Sequence, residues 1–102
     1  MARLTVSEDA DRDLDDVYRQ GVMTFGFAQA DRYIEGLLGA LDLIAEFPGA
    51  IRLRRELTPP VRAYPYKSHV ILYDIDDRGD VLVVRIRHSH EDWMAPPVGN
   101  AD

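Results

Sequence analysis

The chain has 102 residues, 46% hydrophobic and 29% charged, with a formal net charge of −6 and no cysteine. That balance is ordinary for one soluble globular domain with a modest core. It excludes disulfides and thiolate metal sites, no apolar run approaches the ~20 residues of a membrane span, and an acidic chain is a poor sequence-independent binder of nucleic acid.

The charge is unevenly spread. Residues 1–50 hold 4 basic and 10 acidic side chains, residues 51–73 hold 5 and 1, and residues 74–102 hold 3 and 7. The central basic segment is either a solvated surface or a contact for an acidic partner. The first residues lack the pattern of a secretory leader, so a cytoplasmic setting is expected.

Ala2 to Val6 alternates, with Leu4 and Val6 on one face, and reads as a short strand. Ser7 follows as a helix N-cap, with Glu8 and Asp9 in the favourable first turn. Ala10, Leu14, Val17, Tyr18, Val22 and Phe25 then recur at helical spacing, opposite an acidic face that includes Asp11, Asp13, Asp15 and Asp16. This predicts a helix over about residues 8–24, in which Gly21 suits a close helix crossing and Gly26 a helix end. A second stripe, Ala30, Tyr33, Ile34, Leu37, Leu38, Leu41, Ile44 and Ala45, runs to Phe47-Pro48-Gly49. So short a connection implies an antiparallel helical hairpin.

After Pro48 the texture changes. Arg52 to Glu56 is charged, and Thr58-Pro59-Pro60 is loop-like. Val61 to Lys67 looks extended, with Pro65 marking an edge or a bulge. His69 to Ile75 and Val81 to His88 are strong strands joined by the turn Asp76-Asp77-Arg78-Gly79, so they form a hairpin. Strand alternation places Leu82, Val84, Ile86 and His88 on one side of the last strand, with Leu82, Val84 and Ile86 expected against the helices. Arg85 and Arg87 are then expected on the open face. The predicted order is β-α-α-β-β-β. It describes an α+β two-layer fold, a helical hairpin on a small, mostly antiparallel sheet. One domain over residues 1–93 is expected, with residues 94–102 as a flexible tail.

These pieces, in order, resemble the ParE branch of the RelE/ParE toxin superfamily. The resemblance covers about residues 3–93. It rests on Ala10-Asp11-Arg12-Asp13-Leu14-Asp15-Asp16-Val17-Tyr18, Gly26-Phe27-Ala28-Gln29-Ala30-Asp31-Arg32-Tyr33, Phe47-Pro48-Gly49, Val61-Arg62, His69-Val70-Ile71-Leu72-Tyr73 and Val84-Arg85-Ile86-Arg87-His88 running into Glu91-Asp92-Trp93. It implies the toxin of a bacterial type II toxin–antitoxin pair, neutralised by a cognate antitoxin that carries a DNA-binding domain. ParE-like members inhibit DNA gyrase by binding, without catalysis, cofactor or metal. RelE-like members cut mRNA on the ribosome and typically carry Arg where this chain has His69. The alternatives are therefore a RelE-like endonuclease and a degenerate, non-toxic complex-forming member.

A ParE-type site needs a shaped, partly charged surface. Candidate target-binding residues are Arg62, His69, Arg85, Arg87, His88, His90 and Trp93. Bland readings stand beside them: His88 as a hydrogen-bonded strand-end residue and Trp93 as a packing plug. Relatives commonly carry His-Gly-Arg where this chain has His88-Ser89-His90. Candidate antitoxin-binding residues are Arg52, Arg54, Arg55, Tyr64 and Tyr66, which would suit an acidic tail and an apolar helix.

Overall fold

The computed structural model describes residues 2–90 and 93. Its elements are β1 (Leu4–Val6), α1 (Glu8–Phe25), α2 (Phe27–Glu46), a 3-10 turn (Pro48–Ala50), β2 (Leu53–Arg54), β3 (Val61–Tyr66), β4 (His69–Ile75) and β5 (Val81–His88). The sheet order is β1-β5-β4-β3-β2. Only β1–β5 is parallel; the other three pairings are antiparallel. The expected two-layer α+β architecture is therefore present, with one strand more than the six-element reading. That strand, β2, arises in the charged Arg52–Glu56 run, where two residues pair with Val61 and Arg62. Two residues are too few to give the alternation from which a strand is read.

The local chemistry explains the helical hairpin. The Ser7 hydroxyl oxygen accepts the Ala10 amide at 3.0 Å and its proton goes to the Val84 carbonyl at 2.8 Å. The cap thus ties the start of α1 to β5 as well as to itself. Gly26 ends α1 at φ 89°, a backbone state that strains any other L-residue, and its amide bonds the Val22 carbonyl at 2.9 Å. A Cβ on Gly21 would lie 3.3 Å from the Ala30 Cβ, so α1 and α2 do cross closely there. The Tyr18 hydroxyl donates to Asp31 at 2.7 Å and bridges the pair.

The main core sets Ala10 of α1 and Leu37, Leu41 and Ile44 of α2 against Ile71, Tyr73, Val81, Val83 and Ile86 of the sheet. Burying each large side chain there is worth about 1.5–3 kcal/mol. Two members of the expected stripes stay outside. Leu38 is 45% exposed, because one helical step from buried Leu37 carries it about 100° around the axis. Phe25 is 63% exposed at the hairpin turn, beside Met23 and Phe27 at 80% and 69%.

The last strand departs from its expected sidedness. Tyr73 pairs with Val83 and Leu72 with Arg85, leaving Val84 as an extra residue in β5. Such a bulge shifts the alternation by one. Val81 and Val83 before it, and Ile86 after it, therefore face the helices. Val84 packs on the other face with Ala63, Val70, Leu72 and Trp93, and Leu82 is 41% exposed. Pro65 sits where expected of a residue without an amide proton. β2 covers only Val61 and Arg62, so no strand among the described residues lies outside β3 at Pro65. The expected tail at residues 94–102, and the neighbours Glu91 and Asp92, fall outside the described residues.

Candidate functional site

A groove of about 300 Å³ opens between α1 and the end of β5. It exists because β1 stops at Val6, so β5 is covered only as far as Val83. Beyond that point α1 takes over. The Ser7 amide bonds the Val83 carbonyl at 2.9 Å, and the Asp13 carboxylate accepts the Ile86 amide at 2.8 Å. The same carboxylate accepts Arg85 Nε at 2.7 Å and one Arg85 terminal nitrogen at 3.1 Å. Three N–H donors converge on one acid whose side chain is only 14% exposed. Register keeps Arg85 opposite Leu72, on the open face where it was expected, but its guanidinium reaches round the uncovered edge of β5 to Asp13 and lines the groove with Arg87, His69, His88, Asp16 and Gln20. Arg87 also lines it, from an open-face position opposite Val70 as expected.

Aromatic rings continue from the groove in a ladder. Tyr66 and Tyr33 lie 5.5 Å apart, Tyr33 and His69 5.5 Å, His69 and His88 5.1 Å, and His88 and His90 5.1 Å between centroids. Strand register builds the middle rung, since His69 of β4 and His88 of β5 are direct partners. The Tyr33 hydroxyl oxygen accepts the Ser68 amide at 3.2 Å and lies 2.7 Å from His69 Nδ1. Its own proton is thus available to Nδ1. Burial raises the Tyr33 pKa above the ordinary tyrosine value, which keeps that proton in place. The His90 amide donates to His88 Nδ1 at 3.2 Å.

The seven candidate target-binding residues do not form one surface. His69, Arg85, Arg87 and His88 line the groove, and exposed His90 adjoins it through His88. Arg62 lies elsewhere, with its guanidinium on the Ile51 carbonyl. Trp93 packs over Ala63, Val70 and Leu72 on the face away from the helices, as a plug would, and Arg54 stands 5.6 Å from its ring centre.

The antitoxin candidates divide as well. Arg52 pairs with Glu56, Arg54 with Trp93, and Arg55 is exposed. Tyr64 lines a second, apolar pocket, and Tyr66 packs into the main core beside α2. Among the described residues, no group of three His, Cys, Asp or Glu side chains is arranged to hold a metal ion. No helix among them is long and apolar enough to cross a membrane.

Sequence reasoning missed Asp13 and Tyr33. Asp13 was grouped with the solvated acidic face. Its position was a signal: it lies three residues after Ala10 and four before Val17, at the border of the apolar stripe. Tyr33 gave no signal beyond its place in that stripe.

Fold and groove together define a two-layer α+β protein with a mixed-charge groove between its first helix and the sheet end. A family model described as "ParE toxin of type II toxin-antitoxin system, parDE" matches residues 4–93. Toxin ParE1 of Caulobacter vibrioides is 31% identical over 83 residues, 81% of this chain and 84% of that one. Toxin ParE1 of Mycobacterium tuberculosis is 29% identical over 91 residues, 89% of this chain and 93% of that one. In the chromosomal ParDE TA system from P. aeruginosa, a solved chain with 18% identity superposes at a TM-score of 0.75, covering 86% of this chain and 96% of that one. At that identity the superposition speaks for the fold. The chain belongs to the ParE toxin family of type II toxin–antitoxin systems.

Proposed function

We propose that this protein is a toxin that acts by binding DNA gyrase, without catalysis, and that a cognate antitoxin with a DNA-binding domain neutralises it in the cytoplasm. The observation that carries the reading is the family match across residues 4–93, supported by relatives named Toxin ParE1. An antitoxin partner is supported by the structural likeness to a chain of a ParDE system. Groove chemistry favours binding over RNA cleavage. Asp13 and Asp16 line the groove with its two arginines, and Arg85 is already engaged by Asp13, which makes a poor seat for a phosphate. At position 69, a histidine hydrogen-bonded to Tyr33 stands in place of a permanent cation. The groove residues His69, Arg85, Arg87, His88 and His90 are the proposed target surface.

The test compares two assays on purified protein freed of antitoxin. One follows gyrase supercoiling and cleavage complexes; the other follows codon-dependent mRNA cutting on ribosomes. Gyrase inhibition alone is expected. Ribosomal cutting without a gyrase effect would replace this reading with the endonuclease one. Inactivity in both, with antitoxin still bound, would mark a degenerate complex-forming member.

A further inference from the structure

The second pocket lies on the far side of α2 from the groove, between the end of that helix, the 3-10 turn and β3. It measures about 180 Å³ and is lined almost entirely by apolar atoms of Leu43, Phe47, Ile51, Tyr64, Tyr73 and their neighbours. Leu43 and Phe47 stand at its mouth with 49% and 59% of their surface exposed. Neither is needed to fill the main core, which closes beneath them on Ile44 and Tyr73. The volume suits one large side chain.

A cation sits against this pocket. Arg62 shares its strand face with Tyr64, pairs in register with Tyr73, and puts its guanidinium on the Ile51 carbonyl, so three lining residues are its immediate neighbours. Its charge is felt at the Tyr73 hydroxyl, where it works against the upward push of burial. Among the described residues no carboxylate pairs with Arg62, although Arg12, Arg19, Arg52 and Arg85 each have one. One carbonyl leaves most of a guanidinium's five N–H donors for other acceptors. A partly buried arginine with no acid beside it, at the rim of an apolar pocket, matches a carboxylate carried next to an apolar anchor. The outer rim sets the direction. Asp42 and Glu46 flank Leu43 on α2, whereas Arg52 follows Ile51 on the other side. An acidic flank is therefore accepted only toward β2 and β3.

We infer that this pocket is the anchor site for the antitoxin, taking one large apolar side chain of an acidic segment whose carboxylate pairs with Arg62. The inference rests on the toxin–antitoxin reading above. It moves Arg62 from the gyrase-facing surface to the antitoxin-facing one, and reduces the basic run Arg52, Arg54 and Arg55 to a secondary, salt-screened contribution.

The experiment titrates the protein with the antitoxin encoded beside its gene, by calorimetry at two salt concentrations. Phe47→Ala and Arg62→Gln are compared with the wild type, and far-UV circular dichroism checks that each variant folds. Exposed Phe47 gives a variant that keeps the core intact. Each change is expected to weaken binding about tenfold or more, the usual consequence of removing a buried anchor. Arg62→Gln should also flatten the salt dependence. If the wild type binds and both variants bind within about twofold of it, the pocket is not the anchor site, and the toxin–antitoxin reading stands. If the wild type itself does not bind, both fail together.

Discussion

Asp13 on α1 and Arg85 on β5 form a forked ion pair, at 2.7 and 3.1 Å, whose acid also caps the Ile86 amide. Removing the carboxylate takes the acceptor from the Ile86 amide and two hydrogen bonds from Arg85. Asp13→Ala should cost about 2–3 kcal/mol in urea denaturation, and Asp13→Asn, which keeps one oxygen, roughly half as much. Arg85→Ala should cost less than Asp13→Ala, because the amide keeps its acceptor. Equal losses would show that the amide bond contributes little.

Gly36 makes room for Tyr66. A Cβ built there would lie 1.9 Å from the tyrosine hydroxyl oxygen. Gly36→Ala should therefore lower the thermal midpoint, although alanine favours helix by about 1 kcal/mol. Adding Tyr66→Phe removes the clashing oxygen and should recover part of the loss, since Cζ would remain at 3.0 Å. If the two changes simply add, the steric account is wrong.

Alkaline pH should loosen the fold. Burial raises the pKa of both Tyr33 and Tyr73 above the ordinary tyrosine value of 10.0. The folded state then holds those protons more tightly than the unfolded chain does. Their contribution is complete below pH 10 and is lost as pH rises through the folded-state values. The urea midpoint should fall above about pH 10, and Tyr33→Phe should blunt that fall. A midpoint unchanged by the substitution across this range would count against it.

His90 is exposed at the end of the ring ladder, at a position where the resemblance to ParE toxins implies arginine. His90→Arg adds a permanent cation and a planar fork at this exposed site. Gyrase inhibition should strengthen several-fold, on the order of 1 kcal/mol, measured as the concentration giving half-maximal cleavage complexes. Unchanged potency would place position 90 outside the contact.

The helices and the β4–β5 hairpin were legible because each signal is local. Ser7 caps, Gly26 stops, and Asp76 accepts the amides of Arg78 and Asp80 at 2.9 Å as turn chemistry requires. The site was less legible because its geometry comes from pairing. One extra residue at Val84 reverses which side of β5 meets the helices, and nothing in that apolar strand's composition marks it. Asp13 becomes an anchor because β1 ends opposite Val83, short of the Ile86 amide, a consequence of register rather than of residue type. The pocket beside Arg62 needs three separated segments at once, which no single stretch of sequence displays.

The parallel pairing of β1 with β5 joins Leu4 to Val81, 77 positions apart, and the Ser7 cap depends on the Val84 carbonyl. Contacts this distant form slowly and late. During synthesis, at about 5–20 residues per second, the residues of α1 and α2 are made seconds before those of β5. The Asp13 clasp and the histidine rungs all require β5. A ribosome that stops short of residue 81 thus releases a chain without β5, which cannot assemble the groove.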